Sequence, residues 1–130
     1  MITKSDALTI PTDLDAAVMQ LMAILEVSQQ LESFKGKSME DCAGIYHHSL
    51  GMVIRNAWGL WDSETAISKH LEALGIHHGD DRSAAIFRAL WHHVNGTPFD
   101  ALAYVELCRA HWAEFGLDML GAPQEKKGRR

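Results

Sequence analysis

The chain has 130 residues, 47% hydrophobic and 22% charged, which allows one domain with a real core and excludes two. No apolar run nears the roughly 20 residues of a membrane helix, the start Met1-Ile2-Thr3-Lys4-Ser5-Asp6 lacks a signal peptide's apolar stretch, and Cys42 and Cys108 are too few for a disulfide framework, so a cytoplasmic protein with buried thiols is expected. The net charge of −5 divides into +3 for residues 121–130 (Lys126, Lys127, Arg129 and Arg130 against Glu125) and therefore −8 for residues 1–120, a balance that favours basic partners and disfavours nucleic acid except through the tail.

Residues 1–10 read as a lead-in, and 121–130 read as a basic flexible tail behind a single helical domain spanning 1–120. Thr12 with Asp15 three residues on suggests a capping box. It predicts a first helix from about Leu14 to Phe34, with Leu14, Val18, Leu21, Ile24 and Leu25 as its apolar stripe and Gly36 as its stop. Ser38 with Asp41 starts a second helix, whose stripe of Cys42, Tyr46, Leu50, Val53, Ile54, Ala57 and Trp61 follows helical spacing. Gly44 and Gly51 inside it suggest close approach of a neighbouring helix, because glycine costs about 1 kcal/mol in a helix interior.

Asp62 or Ser63 would cap a short third helix carrying Ile67, Leu71 and Leu74, closed by a left-handed Gly75 with Ile76 packing back. Asp80 or Asp81 would open a fourth, with Ile86, Phe87, Leu90, Trp91 and Val94, stopped by Asn95-Gly96. Thr97-Pro98-Phe99-Asp100 combines a cap, a proline and an acid, and predicts a fifth helix to about Phe115. That helix is apolar on most sides, so a central position is expected. No segment shows strand alternation. The fold class expected is all-α, a compact bundle of about five helices without a sheet.

Four groups of residues bear on function. Arg55 and Asn56 follow an apolar turn, and a guanidinium suits bidentate carboxylate pairing, so Arg55, Asn56, Asp80 and Asp81 are read as a structural clamp. His77, His78, Asp80 and Asp81 carry metal-ligating groups, yet an aspartate before a helix is most simply a cap, and the three histidine doublets lack i, i+4 ligand spacing. No metal, no cofactor and no catalytic residue is assigned. A metal-dependent enzyme using the His77–Asp81 loop is one alternative, and a nucleic-acid-associated protein acting through the tail is another. Of the four tryptophans, Trp61 and Trp112 read as core, and Trp58 and Trp91 as partly exposed. Glu26, Glu32, Glu40 and Asp41, away from the apolar stripes, with Trp58 and Trp91, form the expected partner-binding set.

The run Leu50-Gly51-Met52-Val53-Ile54-Arg55-Asn56-Ala57-Trp58-Gly59-Leu60-Trp61, followed by Gly75-Ile76-His77-His78 and Asp80-Asp81-Arg82-Ser83, resembles a family of small bacterial helical domains of unknown function. The likeness covers roughly residues 47–90, with Arg82 where the pattern has an apolar residue. It implies an α-helical domain and no chemistry. By class-level analogy with small acidic inhibitors and immunity-type proteins of phage and mobile elements, the leading expectation is a non-enzymatic module that binds a basic surface of a larger protein.

Overall fold

The computed structural model describes residues 9–123. The basic residues assigned to the tail, Lys126, Lys127, Arg129 and Arg130, and most of the lead-in lie outside them. The described chain folds into seven helices: α1 (Leu14–Val27), α2 (Leu31–Gly36), α3 (Met39–His47), α4 (Leu50–Ala57), α5 (Ala66–Ala73), α6 (Gly79–Asn95) and α7 (Ala101–Ala113). Among the described residues the only β pairing is an isolated bridge between Leu117 and Pro123. The all-α class holds, and the count rises from about five because two expected helices are each broken in two.

The first break follows Val27. Ser28 turns its hydroxyl onto the Ile24 carbonyl at 2.9 Å, Gln29 takes a left-handed φ of 61°, and the Gln30 amide reaches the Leu25 carbonyl at 2.8 Å. This is a Schellman-type ending built without glycine. The second break lies at His48-Ser49. Beyond it Gly51 packs on the end of α3, where a Cβ would sit 2.6 Å from the Tyr46 carbonyl oxygen and 3.1 Å from Arg55 Nη1. The close approach at Gly51 is to the first half of its own expected helix, and not to a separate neighbouring helix. Gly44 makes no close approach, since a Cβ there would meet nothing within 4 Å.

Caps follow side-chain chemistry, shifted by a few residues from the expected positions. Asp13 rather than Thr12 caps α1, accepting from the Ala16 amide at 2.8 Å. Ser38 caps α3 as expected, accepting from the Asp41 amide at 3.1 Å. Thr65 caps α5 in place of Asp62 or Ser63, and Asp100 caps α7 in place of Thr97. Gly75 closes α5 at φ 96° with the Ile76 amide on the Leu71 carbonyl at 3.0 Å, and Gly96 closes α6 at φ 74°.

The helix at the centre is α6, which packs against α1, α2, α3, α4 and α7. Its Ile86, Phe87 and Leu90 are buried among Leu21, Leu25, Phe34, Tyr46 and Ile54, with Phe87 stacked on Tyr46 at 5.5 Å. The central place expected for the last helix is therefore corrected: α7 lies at the edge, and Leu102 and Leu107 on it are 77% and 58% exposed. It is anchored on one side by Tyr104, Val105 and Cys108. Past α7 the Asp118 carboxylate accepts the Leu120 and Ala122 amides at 2.9 and 3.0 Å, so ordered chain continues through residues 121–123, the first three of the segment read as a tail. No described helix is long and apolar enough to cross a membrane.

Candidate functional site

The most constrained polar cluster gathers at the N-terminal end of α6, where α4, the loop after it and the end of α5 converge. Two arginines are buried there. Arg55 leaves the inner face of α4 and donates from Nη1 to Ser83 Oγ at 2.9 Å and from Nη2 to the His47 carbonyl at 2.8 Å. Its Nε lies 3.5 Å from Asp80 Oδ1, an ion pair without a hydrogen bond. Asp80 is half-exposed, and water weakens that pairing. The two neutral acceptors and burial fix the guanidinium.

Arg82 is bound more completely. It is 1% exposed and uses all five of its N–H groups. Nε donates to the Ile76 carbonyl at 2.8 Å, and Nη1 donates to the carbonyls of Leu60 at 3.1 Å and Asp62 at 2.6 Å. Nη2 donates to Ser63 Oγ at 3.3 Å and to Glu72 Oε1. One side chain thereby ties the α4–α5 loop, the end of α5 and the α5–α6 turn to α6. Buried carbonyls without partners cost about 1–3 kcal/mol each, so this charge substitutes for a local backbone ladder. Arg82 was not among the expected site residues. The signal was its position four residues before Ile86 and eight before Leu90, on the buried stripe of α6.

The remaining expected residues distribute around this pair. Asn56 does not join Arg55 and the aspartates; its Oδ1 accepts the Trp61 indole N–H at 3.2 Å. Asp81 faces away from Arg55 and accepts the Trp112 indole N–H on Oδ2 at 2.7 Å, while its carbonyl accepts from Tyr104 hydroxyl at 2.8 Å. Asp81 so joins α7 to α6. Neither aspartate caps α6. His78 does, its Nδ1 accepting from the Asp80 amide at 3.1 Å, and both acids sit in the first turn where they complement the helix dipole.

His77 and His78 diverge. His77 Nδ1 lies 2.9 Å from Glu72 Oε2, whereas the His78 ring packs 4.7 Å from that of Trp112. Among the described residues no group of three or more His, Cys, Asp or Glu side chains is placed to hold a metal ion. His77 and Arg82 share Glu72, and the bond from His77 foremost, against the cost of burial, holds that carboxyl below its ordinary range. Burial and then the Arg55 charge push the His47 imidazole down, with Asp80 opposing. Burial lifts both thiols, Cys42 and Cys108, to about 11, which leaves them protonated near neutral pH.

The tryptophans exchange roles. Trp58, expected to be partly exposed and offered to a partner, is fully buried, and Trp61, expected in the core, is 55% exposed. Gly59 is the cause: at φ 63° it ends α4 and turns the chain, so Trp61 leaves the helical register that its spacing implied. Trp91 is half-buried, with its indole N–H on the Lys37 carbonyl at 2.8 Å, and Trp112 is half-buried rather than core. Glu26, Glu32, Glu40 and Asp41 are all exposed, on α1, α2 and α3.

The chain belongs to a family defined as a domain of unknown function, DUF6794, whose model matches residues 10–94. The match runs from four residues before α1 almost to the end of α6. It includes both buried arginines and stops before α7. No curated protein and no solved structure matches the chain.

Proposed function

We propose that this member of the DUF6794 family is a non-enzymatic protein-interaction module. In this reading it is a cytoplasmic inhibitor or immunity-type protein that occupies a basic surface on a larger target. The observation that carries the reading is a division among its carboxylates. Glu72 and Asp80 face buried arginines, and Asp81 holds an indole. Glu26, Glu32, Glu40 and Asp41 are exposed, and no cation among the described residues lies within ion-pair distance of them. Uncommitted surface acid on a body of net −8 steers association with a basic partner and makes it sensitive to salt. Trp58 drops out of the binding set because it is buried, and Trp91 remains at its edge.

The test compares the immobilised domain with its Glu26→Lys/Glu32→Lys/Glu40→Lys/Asp41→Lys form for proteins retained from a lysate of the native host. The reading expects a basic protein held by the first, eluted by moderate salt, and lost from the second while both forms melt alike. Retention of the same proteins by both forms, with the same salt dependence, contradicts it.

A further inference from the structure

Arg88 stands apart from the other arginines among the described residues. Arg55, Arg82 and Arg109 each lie within ion-pair distance of a carboxylate. Arg88 has no such partner among the described residues. Of its five N–H groups, one reaches only the Met39 thioether, at 3.9 Å and a weak acceptor, and Nε is buried without a partner. The guanidinium lies over the Tyr104 ring at 5.1 Å. Tyr104 donates its hydroxyl to the Asp81 carbonyl, and Arg88 meets the face of its ring.

Two adjoining cavities meet at this side chain. One, of about 430 Å³, lies between α6 and α7 and is lined by Ala84, Arg88, Tyr104, Leu107, Cys108 and Ala110. The other, of about 140 Å³, shares Arg88, Tyr104 and Leu107 and continues toward Phe99. Together they form a groove with apolar stretches, bordered also by Asp81, His111 and Glu114, with the half-buried Arg88 shared by both cavities, in the size range of small-molecule sites. The α6 wall belongs to the family segment, and the α7 wall lies beyond residue 94, where that segment ends.

We propose that this groove is a binding site for a small apolar monocarboxylate, its carboxylate paired with Arg88 and its hydrocarbon body along Ala84, Leu107 and Ala110. A guanidinium short of acceptors takes a carboxylate by two parallel charge-assisted bonds, and the apolar walls reward a hydrocarbon. Asp81, which accepts the Trp112 indole, and Glu114 also border the larger cavity; they oppose any anion, and one bearing several negative charges most strongly. The site therefore selects a single charge and rejects polyphosphates and nucleic acid. It is separate from the exposed acids of α1, α2 and α3, so its fate and that of the interaction reading are decided independently.

The test titrates the full chain, labelled with ¹⁵N, against three probes followed by amide and Arg Nε–H shifts: hexanoate, 1-hexanol and inorganic phosphate. The proposal expects saturable shifts at Ala84, Arg88 and Leu107 with hexanoate, at least about tenfold weaker binding of 1-hexanol, and no saturation with phosphate. In Arg88→Gln the preference for hexanoate over 1-hexanol should vanish, and in Arg88→Lys part of it should remain. Absence of saturation with hexanoate in the native chain overturns the proposal. So does equal affinity for hexanoate and 1-hexanol, or unchanged hexanoate affinity in a folded Arg88→Gln.

Discussion

The Trp61 ring lies flat against Gly79: a Cβ placed at residue 79 would stand 2.5 Å from Trp61 Cε3 and 2.9 Å from Cζ3. The same ring faces the Arg55 guanidinium at 5.7 Å and the His78 ring edge-on at 6.1 Å. A half-exposed tryptophan thus covers the start of α6, and the absence of a side chain at 79 lets it do so.

Gly79→Ala should therefore destabilise by about 1 kcal/mol, because overpacking outweighs the gain in helix propensity. In a Trp61→Ala background the same substitution should be neutral or stabilising. Chemical denaturation of the four proteins of this cycle measures the coupling. An equal loss in both backgrounds would mean that the ring contact is not the cause.

Arg55→Met keeps much of the side chain's volume and removes its donors. Ser83 and the His47 carbonyl lose their partner, and Asp80 loses its nearby charge. The expected loss is about 2–4 kcal/mol, less than for Arg82, whose bonds are more numerous. Stability equal to the native protein in a urea titration would show that the bonds of Arg55 contribute nothing net.

Stability should fall on acidification, in two windows. His47 and Glu72 both have folded values below their ordinary 6.5 and 4.5. For a group depressed in the folded state, the unfolded chain takes up the proton first, so the stabilisation it provides is present above the ordinary value and is lost as pH falls toward the folded one. The melting temperature should decline below about pH 6.5 through His47 and again below about pH 4.5 through Glu72. His47→Gln should flatten the upper window and leave the lower one. A melting temperature that rises between pH 7 and 5 would have the wrong sign.

Helix stops and starts were legible where one side chain dictates the backbone: Ser38 as a cap, and Gly75 and Gly96 as left-handed closures. The break at Gln29 was not legible, since a left-handed glutamine leaves no compositional mark. Gly59 is legible as a glycine and its positive φ is not, which is why spacing alone places Trp61 in the core; the burial of Trp58, which precedes the turn, has no such mark. Counting apolar residues around the last helix placed it at the centre, whereas several of those residues border the groove beside Arg88. At Arg82 two signals in the sequence conflict. Its helical phase pointed inward and its type pointed outward, and phase prevailed because five acceptors converge on it.

The polar residues at the head of α6 tie the fold together. The melting temperature of Arg82→Met tests this most directly. The buried carbonyls of Ile76 and Leu60, and the part-buried acceptors on Asp62, Ser63 and Glu72, lose their donor, so a loss of about 3–5 kcal/mol is predicted, a drop of about 10 °C or more. An Arg82→Met protein that melts with the native one would contradict this structural role.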